Sequence, residues 1–116
     1  MAVDMKSETQ VIPIVCNMDV FTVDEREDHI RTTTQLFHTV QDIHEVENGY
    51  EFTFPSSNEA ENIVQLAEFI SNERRCCPFL EFTLTIASND KPTSLLLTGP
   101  EGTQEFLREE FNEAFS

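Results

Sequence analysis

Apolar and polar side chains alternate most clearly at two places along the chain. Residues 80–86 alternate without a break, and residues 50–54 alternate directly after the dipeptide Asn48-Gly49. A period of two is typical of a half-buried β-strand, and Asn-Gly favours the two-residue turn of a hairpin. Weaker strand patterns at residues 41–46 and 94–98 lie across a turn from these stretches. The pattern therefore predicts two β-hairpins.

Helical periodicity precedes, separates and follows the two hairpins. Thr22 and Glu25 have the spacing of a capping box and predict a first helix over residues 23–38. The residues that recur at helical spacing on one face are Val23, Arg26, Ile30, Thr33 or Thr34, and Phe37. A third helix follows the loop that ends the second hairpin.

The strongest helical pattern lies between the hairpins. Its apolar face carries Leu66 and Phe69, and Glu73 and Cys76 continue the same face at helical spacing. Pro78 disfavours a helical conformation in the residue before it. This second helix should therefore end near residue 75 or 76.

These elements predict an α+β fold: a mainly antiparallel sheet of about four strands, formed by two hairpins, with three helices packed on it. Pro13 interrupts the apolar stretch at residues 10–18, which predicts an edge strand or an extended arm there. Residues 1–9 are polar and without periodicity, so we expect a mobile N-terminal tail before a single domain over residues 10–116.

The chain is strongly acidic, with 22 acidic and 7 basic side chains and a formal net charge of −15. Nucleic acids and anionic membranes bind clustered Lys and Arg, so we expect neither as a partner. No apolar run approaches the ~18 residues that cross a bilayer, and no basic-then-apolar leader opens the chain. The sequence therefore predicts a cytoplasmic protein.

Three cysteines, Cys16, Cys76 and Cys77, carry the most unusual chemistry of the chain. Neighbouring Cα atoms lie about 3.8 Å apart, whereas disulfides usually need roughly 4.4–6.8 Å. Cys76 and Cys77 should therefore not form a relaxed disulfide with each other. An odd total with an adjacent pair fits reduced thiols in a cytosolic protein better than a secreted disulfide framework.

Four short motifs stand in order along nearly all of the chain from Val11 onward. They are Val15-Cys16, Asn48-Gly49-Tyr50-Glu51-Phe52, Glu73-Arg74-Arg75-Cys76-Cys77-Pro78-Phe79 and Thr98-Gly99-Pro100-Glu101-Gly102. With them the chain resembles an uncharacterised family of small bacterial proteins, sometimes linked to heavy-metal resistance. The Glu-x-x-Cys-Cys-Pro-Phe block is the specific part, and the Thr-Gly-Pro-Glu-Gly loop is weak alone. The resemblance implies the three thiols and no catalytic residue.

The leading interpretation is a site for a soft metal or metalloid ion, formed by Cys16, Cys76, Cys77 and Glu73. Thiolates suit zinc, copper(I) and heavier thiophilic ions, and a helix C-terminus presents free carbonyl groups to a cation. Arg74 and its neighbour would oppose a cation unless they point away. The cofactor stays open, with zinc as one candidate, because the usual C-x-x-C zinc signature is absent from the sequence. Buffering, delivery or sensing of the ion would suit such a site.

A second interpretation makes the cysteines structural. Free cysteine is among the most buried residue types, so Cys77 could fill the core and Cys76 could end the helix. The protein would then be a non-catalytic interaction domain whose phenylalanine-rich faces dimerise or hold a protein partner. An enzyme is less expected than either, because a helix C-terminus opposes the thiolate that a nucleophile needs.

The other titratable clusters predict surface positions. These are the three histidines and the acidic residues of the last helix: His29, His38, His44, Glu109, Glu110 and Glu113. Histidines nine positions apart on one helix, such as 29 and 38, do not share a face as i, i+4 ligands do. The glutamates are most simply a solvated helix face.

Overall fold

Two antiparallel hairpins form one four-stranded sheet in the computed structural model, which describes residues 13–55, 60–88 and 91–115. The strand order is β1-β2-β4-β3, so β4 lies between β2 and β3. Together with the helices, this sheet confirms the predicted α+β fold. In chain order the elements are α1 (Val23–Phe37), β1 (Asp42–Val46), β2 (Gly49–Phe54), α2 (Ala60–Cys76), β3 (Glu81–Thr85), β4 (Thr93–Thr98), α3 (Thr103–Glu110) and α4 (Asn112–Phe115).

One face of the sheet builds an aromatic core. Phe52 of β2 pairs with Leu95 of β4, and both side chains are fully buried. Phe37, at the end of α1, stacks on Phe111 with ring centroids 4.2 Å apart and meets Phe52 edge-on at 5.2 Å. Aromatic pairs in such arrangements stabilise the fold beyond the burial of their area. The opposite face carries exposed or half-buried polar side chains, among them His44, Glu51, Thr53, Thr83 and Thr85.

The first hairpin turns one residue earlier than predicted. Val46 pairs with Gly49, so the turn residues are Glu47 and Asn48, and Asn48 has a φ of 58°. Gly49 is a strand residue, at which a Cβ atom would collide with the carbonyl oxygen of Leu97. Asparagine thus accepts the left-handed backbone, and glycine permits the close approach of β4.

Helix α1 begins where predicted but buries a different face. The capping box of Thr22 and Glu25 is present. Phe37 is buried as predicted, but Val23 and Ile30 of the predicted face are 67% and 52% exposed, so that part of the prediction is wrong. When α1 is oriented so that Leu36 and Phe37 are buried, the side chain two turns before Leu36, that of His29, is buried as well. The buried residues are therefore His29, Leu36 and Phe37.

The last helix and the N-terminal arm also differ from what the sequence predicted. The last helix is divided, because Phe111 leaves the helical conformation between α3 and α4 and enters the core. The predicted tail lies outside the described residues. Residues 13–17 of the arm have no regular structure and lead into a 3-10 turn at Met18–Val20. Within the described ranges, no helix is long and apolar enough to cross a membrane.

Candidate metal and thiol site

The last two turns of α2 place a carboxylate and a thiol in the protein interior. The helix ends at Cys76, which confirms the predicted end, and Glu73 lies on the same face. Seven residues make about two turns, so both side chains continue the stripe of Leu66 and Phe69. Glu73 and Cys76 are each 1% exposed, and Cys77 is completely buried.

The N-terminal arm brings the third cysteine to this helix end. The backbone N–H of Asn17 donates to the carbonyl oxygen of Cys76 at 2.7 Å, which satisfies a free carbonyl of α2. Cys16 forms a disulfide with Cys77, with Cα atoms 4.4 Å apart, and Cys76 is free. The expectation of reduced thiols is therefore wrong for Cys16 and Cys77 in this structure. No local pattern indicated that the arm returns to a residue 61 positions away.

Arg75 contacts the segment that joins the N-terminal arm to α1. Its guanidinium donates to the carbonyl oxygen of Val20 at 2.9 Å and lies over the ring of Phe21, 4.8 Å from the centroid. Arg74 is exposed. The Arg75 charge is thus engaged by the Val20 carbonyl and the Phe21 ring.

Three sulfur atoms and a carboxylate converge at the end of α2. Sγ of Cys76 lies 3.6 Å from Sγ of Cys77, and the sulfurs of Cys16, Cys76 and Cys77 all lie within 4.8 Å of one another. Oε2 of Glu73 lies 3.3 Å from Sγ of Cys77. The other oxygen, Oε1, lies 3.9 Å from Sγ of Cys76. The four residues singled out from the sequence are therefore close together.

A histidine of α1 holds Glu73 from the other side. Nε2 of His29 lies 2.8 Å from Oε1 of Glu73, and His29 is 4% exposed. The imidazole packs against Phe21 and Phe69, with centroid distances of 5.3 and 5.9 Å. Its Nδ1 is buried and has no hydrogen-bond partner within the described chain. The buried contact fixes the orientation of the Glu73 carboxylate.

Glu110 of α3 adds a second carboxyl group. One of its oxygens lies within 4.8 Å of ligand atoms of Cys16, Glu73 and Cys77. The residue as a whole is exposed, but its carboxyl group lies beside that of Glu73. Burial of the carboxyl group, followed by the Glu73 charge, raises the pKa of Glu110 from 4.5 to about 8. Glu110 is exposed, as predicted for this face, but its carboxyl group reaches the other members of the cluster.

The same surroundings disfavour a Cys76 thiolate. Burial is the main cause, and the negative charges of Glu73 and Glu110 add to it, so the pKa of Cys76 rises from 9.0 to about 12. Reactive cysteines need a lowered pKa. A cation that replaces the thiol proton would instead compensate the nearby negative charge. The six residues Cys16, His29, Glu73, Cys76, Cys77 and Glu110 are called the thiol site below.

Two members of the thiol site were not singled out from the sequence as site residues. His29 was expected on the surface but is buried, whereas Glu110 is exposed as expected. The spacing of His29 to Leu36 was a usable signal, because seven residues restore the same helix face. The signal for Glu110 was weaker: it lies three residues after the buried Leu107, and residues at this spacing are neighbours on a helix. His38 and His44 are exposed, as predicted.

Comparisons with family models, with curated proteins and with solved structures gave no match. The resemblance to a bacterial family with a Glu-x-x-Cys-Cys-Pro-Phe block therefore stays a prediction. Any functional proposal depends on the geometry of the thiol site itself.

Proposed function

We propose that the reduced protein binds one soft metal or metalloid ion through Cys16, Cys76 and Cys77, with Glu73 as a fourth ligand. The observation that carries the proposal is the convergence of three sulfur atoms within 4.8 Å. Zinc–sulfur bonds of about 2.3 Å place two sulfurs on one tetrahedral ion roughly 3.8 Å apart. The sulfurs of Cys76 and Cys77, at 3.6 Å, already have nearly that spacing.

The electrostatics of the thiol site favour a cation. Glu73 and Glu110 place two carboxyl groups beside the sulfurs, and the C-terminus of α2 adds the negative end of its dipole. Thiolates prefer zinc, copper(I) and heavier thiophilic ions to magnesium or calcium. Buffering, delivery and sensing of such an ion are all compatible with a site of this kind.

Cadmium titration of the reduced protein tests the proposal, because cadmium–thiolate bonds absorb in the ultraviolet and report the bound sulfurs. The reductant is a phosphine, which does not itself supply a thiol ligand. We expect one ion per chain, and a loss of affinity of about a hundredfold or more for Cys76→Ser and Cys77→Ser. Thiols that each bind cadmium independently would rule the proposal out. Full affinity in Cys16→Ser would remove Cys16 from the ligand set.

A matched pair on α2 separates ligation from general loss of charge. Glu73→Gln and Glu68→Gln each remove one carboxylate from the same helix, but Glu68 is exposed. We expect weaker cadmium binding in Glu73→Gln alone. Equal weakening in both variants would mean that the net charge of the chain, and not a Glu73 ligand, sets the affinity.

The disulfide favours a second candidate, reversible thiol oxidation. An external dithiol would donate two electrons and two protons, so that the Cys16–Cys77 bond becomes two thiols and the dithiol becomes its own disulfide. The free thiol of Cys76 lies 3.6 Å from Cys77 Sγ, within the same cluster. In this candidate the bridge is one of two working states.

Thiol trapping in glutathione buffers tests the redox step that both candidates need. We also propose a cytoplasmic location, and we expect the Cys16–Cys77 bridge to be reduced at the glutathione poise of that compartment. A bridge that persists in the most reducing buffer would leave Cys76 as a lone thiol. That result would eliminate both candidates.

The interaction-domain alternative depends on phenylalanine-rich surfaces. All ten phenylalanines lie in the described ranges, and each is buried or half-buried. The large apolar side chains that are exposed are valines and isoleucines, such as Val23 and Val64. The alternative therefore has less support than the ion site. A stable dimer in sedimentation at high concentration would restore it.

A further inference from the structure

A cleft of about 590 Å³ lies between the end of α1 and the segment that joins α3 to α4. Phe37 and Phe111 supply apolar wall, while Thr33 and His38 of the first segment and Glu110 and Glu113 of the second supply polar groups. Glu113 brings a carboxylate to the cleft, and Glu110 brings a carboxyl group whose pKa is raised to about 8. A volume of this size exceeds what a single ion or a small reagent needs.

The cleft and the thiol site share a residue. Glu110 lines the cleft, and its carboxyl oxygen also lies within 4.8 Å of ligand atoms of Cys16, Glu73 and Cys77. The opposite wall of the cleft also lies next to the thiol site, because the wall residue Thr33 follows His29 by one turn of α1. The Thr33 hydroxyl is buried and has no hydrogen-bond partner within the described chain.

The buried sulfurs need a route to solvent if anything is to bind them. Cys76 is 1% exposed and Cys77 is fully buried, whereas Cys16 is half-buried on the arm. Two directions are therefore available, one past the arm and one from the cleft. The cleft direction offers open volume and a carboxylate that touches both the cleft and the thiol site.

We propose that the cleft is the access route to the buried sulfurs and that the Glu110 side chain is its inner gate. In the described conformation Glu110 lines the cleft, and its carboxyl oxygen lies within 4.8 Å of ligand atoms of Cys16, Glu73 and Cys77. Glu110 and Glu113 would draw a small cation into the cleft, and rotation of the Glu110 side chain would admit it. The identity of the ion rests on the proposed function, but the route does not.

Alkylation of Cys76 tests the route without any metal. In the disulfide form Cys76 is the free cysteine, so a small neutral reagent such as N-ethylmaleimide reports access to one atom. Thr34 is exposed and lines the cleft, whereas the adjacent Gln35 is exposed and lies outside the cleft lining. We expect Thr34→Trp to slow alkylation by about tenfold and Gln35→Trp to leave it within about twofold.

Two substitutions of the gate separate its size from its charge. Glu110→Gln keeps the size of the side chain and removes its charge, which itself makes the Cys76 thiolate easier to form. Glu110→Ala removes both, so we expect it to alkylate about tenfold faster than Glu110→Gln. Glu113→Ala, in the same cleft, should match Glu113→Gln. Urea unfolding of each variant checks that the rates do not follow global stability.

The outcomes separate the route from the ion. The route would be overturned if Thr34→Trp left the alkylation rate unchanged and if Glu110→Ala and Glu110→Gln alkylated at the same rate. Access past the arm would then be the remaining direction. Rates that instead track the free energy of unfolding would overturn it as well. If the alkylation pattern holds while the reduced protein binds no cadmium, the route stands and the proposed ion site falls.

Discussion

One buried face of α2 carries two kinds of side chain. Leu66 and Phe69, in the middle of the helix, are 2% and 0% exposed, and Glu73 and Cys76, near its end, are each 1% exposed. All four follow the same helical spacing. The two halves of this stripe are thus equally buried, but they differ in chemistry.

The neighbours of the two halves differ as strongly as the side chains. Phe69 meets the ring of Phe37 with centroids 5.1 Å apart and that of Phe111 at 6.0 Å. Glu73 meets instead the imidazole of His29 at 2.8 Å and the sulfur of Cys77 at 3.3 Å. The apolar half therefore belongs to the aromatic core, and the polar half belongs to the thiol site.

This difference separates stability from function within a single helix face. Burial of an aromatic side chain such as Phe69 stabilises the fold through the area removed from water. Burial of a carboxylate such as Glu73 costs free energy, which a hydrogen bond to His29 offsets only in part. Leucines in place of both Glu73 and His29 would fill the same space without a buried polar group, so the polar pair indicates a role other than folding.

The largest expected effect tests the apolar half. Phe69→Ala should lower the free energy of unfolding by about 3–5 kcal/mol, because it leaves a cavity among fully packed rings. Replacing both partners of the buried pair, His29→Leu with Glu73→Leu, should change it by less than about 1–2 kcal/mol, because apolar side chains of similar volume leave no unpaired polar group behind. Urea unfolding followed by circular dichroism measures both.

The distinction between the two halves of the stripe fails if the substitutions in both halves lower the free energy of unfolding equally. A loss of several kcal/mol when both His29 and Glu73 are replaced by leucine would make the polar half a structural element and remove the main argument for an ion site. Phe69→Leu is the control for the size of the cavity, and it should lie between the wild-type protein and Phe69→Ala.

The end of α2 could be predicted from the sequence, but the segments that pack around it could not. Pro78 stops the helix by local sterics, and the spacing of Glu73 and Cys76 follows from helical geometry alone. Both are local properties, so they could be deduced from the residues. The approach of Cys16 is not local, since it depends on how the arm crosses the end of a distant helix. The same holds for the order of the strands.

One site residue, His29, was missed because a helix face was assigned from its apolar members. Ile30 looked like core and is exposed, while the adjacent His29 is buried. A histidine can take a core position when a carboxylate such as Glu73 satisfies it, and that partner lies 44 residues away. Glu110 differs from His29 because it is exposed as predicted, and only its proximity to Glu73 makes it a site residue. Buried polar groups are recognised by their partners, which periodicity does not identify.

An intermediate effect is expected at His29, which positions Glu73 rather than contacting the ion in our proposal. His29→Leu should weaken cadmium binding by the reduced protein by about tenfold to a hundredfold, as is usual when a residue that orients a ligand is lost. His29→Gln can still donate an N–H to Oε1 of Glu73 and should retain more of the affinity. Competition titration with a chromophoric chelator measures both.

Exposed His44 provides the control for this prediction. His44→Gln removes a histidine from the open face of the sheet and should bind cadmium like the wild-type protein. Wild-type affinity in His29→Leu would show that the orientation of Glu73 does not matter, and the polar half of α2 would lose its link to α1.

The smallest expected effect is a pH dependence that begins at Glu110. Its pKa is raised from 4.5 to about 8, chiefly by burial and then by the charge of Glu73. The folded state therefore binds this proton more tightly than the unfolded state, so its contribution to stability is complete below pH 4.5 and is lost as the pH rises towards 8. Cys76, raised from 9.0 to about 12, stays protonated in both states over this range.

Glu110→Gln should remove this dependence, because glutamine keeps the size of the side chain and does not titrate. The free energy of unfolding of the wild-type protein, measured in urea from about pH 4.5 to 8, should fall relative to that of Glu110→Gln as the pH rises. Glu113→Gln, which removes the same charge from the next turn, corrects for net charge. Parallel curves for Glu110→Gln and the wild-type protein would mean that the Glu110 carboxyl faces solvent, which would take it out of both the thiol site and the gate.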